Sequence, residues 1–262
     1  MSTISNSFLI VVPTLNSYRI LPQLVSSLQS QSFSHWRLLF VDGPSSIHHR
    51  NWLDYCCSNE PRCQWIIQDS SFPGIFGAMN HGFSFALPTE WVIFWGSDDW
   101  AANNFVLSHI FEFLNSSNND NCDLLVLTGR YVNLHSGFFT RKSSFLPKSF
   151  LNSTEFRHSL FWGHIPPHQA TLFGPNIHSH VSYSNSFKLS ADLDLFLRLS
   201  LVNDIKVKTF DVELVHMSEG GVSGIQTRKR LVEVFSAYFN SFGLLWFIPF
   251  ISRYIRRFLL LL

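Results

Sequence analysis

The chain has 262 residues, of which 46% are hydrophobic and 16% aromatic, and its formal net charge is +1. This length predicts one large domain, or one domain with an elaborated C-terminal part, and the apolar content excludes a disordered chain. Because the charge is balanced and no basic stripe interleaved with aromatic residues precedes the C-terminus, we expect no nucleic-acid partner.

The first half of the chain alternates strand-like and helix-like segments. Short apolar runs, typical of strands buried on both faces, occur at Phe8–Val12, Arg37–Val41, Gln64–Ile67 and Trp91–Trp95. Helix-like segments lie at Ile20–Leu28, Asn51–Cys57, Ile75–Leu87 and Phe105–Leu114. Repeated strand–helix units of this kind predict an α/β fold, with a mostly parallel sheet flanked by helices.

Polar side chains follow three of these strands where each one ends. Thr14 and Asn16 follow the first strand, Asp42 follows the second, and Asp98 and Asp99 follow the fourth. Ligands of open α/β sheets bind outside the carboxyl ends of the strands, so these residues predict a binding site there. The alternative is ordinary loop polarity, since connecting loops lie at the surface.

Asp98 and Asp99 are adjacent carboxylates directly after an apolar strand. Their mutual repulsion would be compensated by a divalent cation. Mg²⁺ and Mn²⁺ prefer oxygen ligands and are often shared between one or two carboxylates and the phosphates of a substrate. The alternative is an Asp that caps the helix beginning near Asn103.

Asp42 stands in the segment V-D-G-P-S-S (Val41–Ser46). A carboxylate at a sheet edge can accept hydrogen bonds from a nucleobase or a ribose. The alternative is a turn residue, because Asp-Gly and Pro-Ser are common turn formers. Both interpretations place Asp42 in the loop that follows the second strand.

The pattern changes after about Asn115, where the polar loop Asn115–Asn121 follows. The segments predicted beyond it are strands at Leu124–Val132, Phe138–Lys142 and Lys206–Met217 and a helix at Asp192–Leu201. With no long linker, one catalytic domain over residues 1–224 and a helical tail over residues 225–262 is the simplest division.

The second half offers two candidates for chemistry. Asp192 and Asp194 do not share a helix face, so we expect different roles for them. Asp194 is four residues from Arg198, which predicts an ion pair, whereas Asp192 either caps the helix or points into the cleft as a general base. His168 follows two prolines that fix an extended approach, and both a functional and a buried structural role stay open for it.

Together these residues resemble glycosyltransferase family 2, whose members have the GT-A fold, and in particular bacterial polysaccharide-biosynthesis enzymes. The resemblance runs from Phe8 to about Ser223. The motifs that carry it, in order, are V-V-P-T-L-N (Val11–Asn16), V-D-G-P-S-S (Val41–Ser46), G-I-F-G-A-M-N-H-G (Gly74–Gly82), W-G-S-D-D (Trp95–Asp99), H-Q-A-T-L-F (His168–Phe173), S-A-D-L-D-L-F-L-R-L (Ser190–Leu199) and G-G-V-S (Gly220–Ser223).

The resemblance implies an inverting transfer of a sugar from a nucleotide-sugar donor to a saccharide or lipid-linked acceptor. It implies that Asp98 and Asp99 bind Mn²⁺ or Mg²⁺ on the donor diphosphate, and that Asp192 is the general base. His168 and Gln169 would lie on the acceptor side. The donor-binding residues that it implies are Pro13, Thr14, Asn16, Asp42, Asn80 and Asp98.

The chain departs from the family pattern at three places. Gly77 stands where the family has Asp in the A-M-N segment, and Gly96 stands where it has Asn before S-D-D. Ser70–Pro73 replaces an acidic–basic approach to the G-I-Y motif. These departures bear on the identity of the donor more than on the reaction.

The C-terminal tail combines apolar and basic residues. The apolar stretches Leu244–Ile251 and Phe258–Leu262 are separated by Arg253, Arg256 and Arg257. The basic break disfavours a spanning helix and suits a segment that lies at a membrane surface, with arginines on anionic headgroups. The alternative is a helix packed on the domain or on a partner chain.

The four cysteines fit no zinc pattern, because no C-x-x-C pair is present. We expect reduced thiols in a cytoplasmic protein, peripheral on the inner face of the cell membrane through its tail. Two other functions stay open. One is a catalytically silent sugar-nucleotide-binding protein of a polysaccharide-assembly complex. The other is a nucleotidyltransferase, although the Gly-rich, basic loop it would usually carry after the first strand is lacking here.

Overall fold

The computed structural model describes residues 6–116, 122–134, 136–145, 151–178, 180–219 and 227–259, with the side chains of residues 228–256 in the last stretch. Its strands are β1 (Ser7–Thr14), β2 (Trp36–Asp42), β3 (Cys63–Ile67), β4 (Glu90–Phe94), β5 (Asp99–Ala101), β6 (Leu124–Val132), β7 (Phe139–Ser143), β8 (Thr171–Phe173) and β9 (Val207–Ser218). Its α-helices are α1 (Leu21–Gln29), α2 (Ile47–Asn59), α3 (Ile75–Phe83), α4 (Val106–Leu114), α5 (Ser153–Phe161), α6 (Ala191–Leu199), α7 (Thr227–Phe242) and α8 (Phe247–Leu259).

The described strands form one sheet in the order β3-β2-β1-β4-β8-β6-β9-β5, and β7 pairs with β6. Strands β1 to β4 are parallel, with Phe8 of β1 opposite Trp36 of β2 and Trp91 of β4. This confirms the parallel α/β arrangement predicted for the first half of the chain. In the second half β8 lies antiparallel between β4 and β6, so the sheet becomes mixed there.

Both faces of β1 are buried, which explains its continuous apolar run. Phe8, Ile10 and Val12 belong to a core cluster that includes residues of α1 and α4. Leu9 and Val11 belong to a second cluster, which includes residues of α3 and α6. Successive side chains of a strand point to opposite faces. A strand covered by helices on both sides therefore needs an apolar residue at nearly every position.

Some boundaries and short elements differ from the sequence prediction. Helix α2 begins at Ile47, ahead of the predicted start, and α3 ends at Phe83 rather than Leu87. The early end of α3 is consistent with Pro88, which disfavours helical backbone at the residue before it. The sequence did not predict α5, β5 or β8. The two strands have three residues each, too few to show a period.

The C-terminal helices pack on the rest of the domain. Ser252 Oγ and Arg256 Nε both donate to the carbonyl oxygen of Trp162, at 2.7 and 2.8 Å. The side chains of this segment that are partly buried against the core include Trp246, Phe250 and Tyr254. The structure therefore shows the packed-helix alternative for the tail, and membrane binding stays a prediction.

Within the described part of the chain, we find no helix with the length and apolar character needed to span a bilayer. Three features of the sequence prediction lie outside the described residues. They are most of the polar loop, at residues 117–121, the G-G-V-S motif at Gly220–Ser223, and the side chains of Arg257 and Phe258–Leu262.

Candidate active site at the carboxyl ends of the strands

The carboxylates of Asp98 and Asp99 are held by other parts of the chain. Asp99 begins β5 and is only 3% exposed, and its Oδ2 accepts a hydrogen bond from the Gly96 N–H at 2.6 Å. Asp98 accepts a hydrogen bond from the Ser218 hydroxyl at the end of β9. Helix α4 begins after Phe105, so neither carboxylate caps it and the capping alternative is wrong.

Burial makes these two carboxylates costly to ionise. It raises the pKa of Asp99 to about 8, with a further contribution from the negative charge of Asp98. Burial also raises the pKa of Asp98. A cation beside the pair would reverse this effect, because an opposite charge favours the ionised form.

Gly96 leaves a small space between the two carboxylates. A Cβ atom added there would lie 2.9 Å from Asp98 Oδ1 and 3.2 Å from Asp99 Oδ2. Both oxygens therefore face the volume that a side chain at position 96 would begin to fill. At position 96, where the family has Asn, any side chain would crowd these two carboxylate oxygens, and this explains the glycine.

The residues present fit a hard divalent cation. Two carboxylates and one hydroxyl offer oxygen atoms, which Mg²⁺ and Mn²⁺ prefer. Among the described residues no group of three or more His, Cys, Asp or Glu side chains is close enough to hold a metal. Such an ion would need further ligands from substrate phosphates and water, which is the usual way in which Mg²⁺ is bound.

Asp42 is fully buried and ties the ends of β1 and β2 together. Its Oδ1 accepts from Thr14 Oγ1 at 3.0 Å and from Ser45 Oγ at 2.6 Å, and its Oδ2 accepts from Arg50 Nε at 3.3 Å. His49 Nε2 lies 3.1 Å from Oδ1, and burial lowers the pKa of His49. The carboxylate thus organises this loop, and its contact with a nucleoside stays a prediction.

Three further hydrogen bonds bring the loops after β1, β2 and β4 together. Asn16, with a positive φ of 53°, donates its N–H to Ser45 Oγ and accepts the Ser46 N–H on Oδ1. The Pro13 carbonyl oxygen accepts from Ser97 Oγ at 3.1 Å. Because these loops follow neighbouring parallel strands, the structure gathers the predicted donor residues Pro13, Thr14, Asn16, Asp42 and Asp98 at one edge of the sheet.

Gly77 is required by the loop before α3. A Cβ atom at this position would lie 1.8 Å from the Phe72 carbonyl oxygen. Gln68 Nε2 holds the loop in place by donating to the carbonyl oxygens of Phe72 and Gly74, both at 2.7 Å. Gly77 and the Ser70–Pro73 segment both depart from the family pattern, and they lie against each other in the structure. The two departures therefore form a single structural feature.

The side chains of Asn80 and His168 both contact Tyr183. The Asn80 side chain accepts the Tyr183 N–H and donates to the Tyr183 carbonyl oxygen, at 2.7 and 2.9 Å, so its observed contacts do not involve the donor loops. His168 is 8% exposed and stacks on Phe94, the last residue of β4. The neighbouring Gln169 carbonyl oxygen accepts from Trp95 Nε1, which places this segment beside the strand that leads to Asp98.

The two aspartates of α6 have different environments. Asp194 is buried and accepts from Arg198 Nε at 2.8 Å, so the predicted ion pair is confirmed. Asp192 lies in the first turn, is partly exposed, and is not the N-cap, which is Ser190. The interpretation of Asp192 as the helix cap is therefore wrong, and its role as a general base stays a prediction.

Sequence analysis missed Ser218 and Tyr183. Ser218 is 120 residues from Asp98 in the chain, so no local spacing could have connected them. Tyr183 lies in a segment without regular structure, where its neighbours give no periodic signal. The three-dimensional contacts alone identify both residues.

The chain is similar to known proteins in sequence and in fold. The family model described as "Glycosyl transferase family 2" matches residues 9–179. PGL/p-HBAD biosynthesis glycosyltransferases of Mycobacterium bovis and Mycobacterium tuberculosis are 30% identical over 107 residues. That aligned stretch is 41% of this chain and 41% of the length of those relatives.

Solved structures with the same architecture include TarS 1-349 of S. aureus in complex with UDP-GlcNAc. It has a TM-score of 0.68 and 18% identity, covering 95% of this chain and 73% of that one. A mannosyltransferase from Pyrobaculum calidifontis with GDP-Man and Mn²⁺ has a TM-score of 0.61 and 11% identity, covering 88% and 62%. At these identities the likeness establishes the GT-A fold, which confirms the predicted fold class.

Proposed function

The chain belongs to glycosyl transferase family 2, and from that premise we propose that it is an inverting, metal-dependent glycosyltransferase. It moves a sugar from a nucleotide-sugar donor to a saccharide or lipid-linked acceptor in polysaccharide or glycoconjugate biosynthesis. The observation that carries this proposal is the arrangement of two carboxylates, the half-buried Asp98 and the buried Asp99, around Gly96 after the end of β4. Further support comes from the solved structures of the same fold, which are complexes with UDP, with UDP-GlcNAc and with GDP-Man.

Asp98 and Asp99 would hold Mn²⁺ or Mg²⁺ at this edge of the sheet. Such an ion supplies positive charge that stabilises the departing nucleoside diphosphate. The Ser218 hydroxyl and the Gly96 N–H would fix the orientation of the two carboxylates. Their high cost of ionisation without a cation supports the same assignment.

Asp192 would act as the general base. It would take the proton of the acceptor hydroxyl while the acceptor oxygen forms its bond to the anomeric carbon and the bond to the diphosphate breaks. Attack from the side opposite the leaving group gives inversion, and a positioned base supports it. Asp194 is less suited to this role because Arg198 already occupies its carboxylate.

The donor would lie over the loops after β1, β2 and β4, and the acceptor beside His168 and Gln169. In this arrangement Thr14, Asn16 and Asp42 shape the donor side, mainly through the hydrogen bonds that tie the loops together. Direct contacts of these residues with the nucleoside are part of the proposal.

The protein would bind the inner face of the cell membrane peripherally through α8. The packed helix leaves an apolar strip exposed at Phe247, Ile251 and Ile255, one turn apart. Residues 227–262 contain six Lys or Arg and one acidic residue, Glu233. Apolar side chains beside a net positive charge suit the surface of an anionic bilayer.

A donor-hydrolysis and transfer screen tests the proposed activity. Purified full-length protein is incubated with UDP-, GDP- and dTDP-sugars in Mn²⁺, in Mg²⁺ and in EDTA. We expect turnover of at least one donor that requires the metal and is lost in Asp99→Asn. Asp54→Asn changes an exposed aspartate away from β4 and serves as the control. Turnover that persists in EDTA would refute the metal dependence, and no turnover of any donor would refute the function.

A further inference from the structure

The carboxylate of Glu233, on α7, binds three successive backbone N–H groups. The Lys188 N–H donates to Oε1 at 3.0 Å. The N–H groups of Leu189 and Ser190 donate to Oε2 at 2.8 and 2.9 Å. A backbone N–H can only donate and an ionised carboxylate can only accept, so the direction of all three bonds is fixed. One side chain therefore holds the backbone of a three-residue segment with both of its oxygens.

This segment leads directly into the helix that carries Asp192. Ser190 is the N-cap of α6, and its own side chain makes no capping hydrogen bond. Asp192 follows two residues later, in the first turn, and is partly exposed. Because the residues are consecutive at the start of one helix, the backbone position of Ser190 determines where the Asp192 side chain begins. Glu233 thus acts on the chain at the point where the proposed base enters α6.

Helix α7 gives the Glu233 carboxylate a firm support. Val234, the next residue, is 1% exposed, and Tyr238 is fully buried one turn further on. Both belong to the core cluster that also contains Leu193 and Phe196 of α6. Protein interiors are close-packed, so two helices joined in this way do not shift freely against each other. The carboxylate is therefore held at a fixed place beside the start of α6.

The segment before α6 is held at its other end by different groups. Arg198 Nη2 donates to the Ser182 carbonyl oxygen at 2.6 Å. The Asn80 side chain bonds to the N–H and the carbonyl oxygen of Tyr183. These contacts fix the beginning of the segment, five or more residues ahead of Lys188. Loss of the Glu233 carboxylate would therefore release the end that adjoins α6 and leave the beginning in place.

We propose that Glu233 is a positioning residue for glycosyl transfer, because its carboxylate fixes the start of α6 and with it the place of Asp192 relative to the acceptor hydroxyl. A misplacement of about 1 Å can slow a reaction by about 10²-fold. The inference rests on the proposed function through the role of Asp192. It gives a part in the reaction to α7, which lies beyond the residues that the family model matches.

The first experiment measures kcat and KM for wild type and Glu233→Gln. Both carboxylate oxygens accept hydrogen bonds, so either orientation of the new amide loses at least one of them. We expect kcat to fall by about 10- to 100-fold. The KM for the donor should stay the same, because the lost bonds lie at the start of α6 and not in the loops after β1, β2 and β4. A wild-type kcat in Glu233→Gln would overturn the proposal.

A double variant tests whether Glu233 acts through Asp192. A positioning residue has no effect once the group that it positions is gone, so Asp192→Asn/Glu233→Gln should be no slower than Asp192→Asn alone. Losses that multiply would show that Glu233 acts independently of Asp192 and would contradict the proposal.

Val234→Ala is the matched control for a loosened helix. It removes buried apolar volume from α7 and lowers stability, but it leaves the Glu233 carboxylate in place. Its kcat should stay within about twofold of wild type at temperatures where the protein is folded. A loss of kcat as large as that of Glu233→Gln would indicate a general effect of α7 on stability and would rule out the positioning role.

The last experiment needs no turnover. Amide hydrogen exchange is measured in full-length wild type and Glu233→Gln without substrate. The amides of residues 188–190 should exchange at least about tenfold faster in the variant, whereas those of β1 should remain protected. Equal exchange of residues 188–190 in the two proteins would overturn the proposal. If wild type turns over no donor, the proposed function fails and the catalytic role of Glu233 fails with it, while the exchange rates still decide whether Glu233 holds the start of α6.

Discussion

Asp99→Asn is expected to stabilise the metal-free protein while it removes activity. The asparagine keeps the size of the side chain and an oxygen that can accept the Gly96 N–H, but it carries no charge. In the wild type the Asp99 carboxyl group lies in a buried site next to Asp98, where both burial and the charge of Asp98 oppose its ionisation. The substitution therefore removes a group whose ionisation opposes folding in the absence of a cation.

The size of this effect follows from the pKa of Asp99, which burial raises from 3.8 to about 8. Between these pH values the folded protein retains a proton that the unfolded chain has already lost. Stability therefore falls as pH rises, by about 1.4 kcal/mol for each pH unit. From pH 5.5 to pH 8 the wild type should lose about 3 kcal/mol relative to Asp99→Asn.

The assay is urea unfolding in EDTA at pH 5.5 and pH 8.0, for wild type, Asp99→Asn and the control Asp54→Asn. The stability advantage of Asp99→Asn should grow by about 3 kcal/mol between the two pH values, whereas the control should follow the wild type. Added Mn²⁺ should stabilise the wild type more than Asp99→Asn, because a ligand stabilises the state that binds it. A pH-independent difference between Asp99→Asn and wild type would refute the argument.

Asp192→Asn keeps shape and removes basicity, so kcat should fall by about 10²–10⁴-fold with donor binding nearly intact; a larger fall in kcat for Asp194→Asn would reverse the assignment. Gly77→Ala should lower the free energy of unfolding by about 1–3 kcal/mol, because its Cβ collides with the Phe72 carbonyl oxygen. In the matched control Gly43→Ala the new Cβ has no neighbour closer than 3.5 Å, and equal losses in urea unfolding would contradict the explanation. Replacing Ile251 and Ile255 by Ser should reduce co-sedimentation with anionic vesicles, and high salt should weaken it further. Val232→Ser changes an equally exposed apolar residue on α7, and an equal reduction there would place the binding surface elsewhere.

The first half of the fold could be predicted because its elements carry strong periodic signals. Strand β1 is apolar at almost every position, and α1 places its buried residues at helical spacing. The C-terminal half of the fold was harder to predict from the sequence. Strand β8 has three residues, and it is a strand only because β4 and β6 flank it. Its hydrogen bonds depend on tertiary context that no local pattern contains.

The candidate site shows the same division. Asp98, Asp99 and Asp42 could be predicted because they follow strands whose carboxyl ends meet at one edge of the sheet. The partners that orient them could not all be predicted. Ser218 reaches Asp98 from β9, and Arg50 reaches Asp42 from one turn inside α2. Asn80, expected on the donor side, instead holds Tyr183.

The two glycine departures show why a motif cannot be interpreted one position at a time. A side chain at Gly77 would require the Phe72 carbonyl oxygen to move, and that oxygen is fixed by Gln68. A side chain at Gly96 would enter the space that the carboxylates of Asp98 and Asp99 face. In both places the missing side chain is matched by a neighbouring group that approaches closely. Introducing the family's Asp at Gly77 alone would therefore displace the loop before α3. Exchanging Ser70–Pro73 together with Gly77 would instead change both segments that form the close contact.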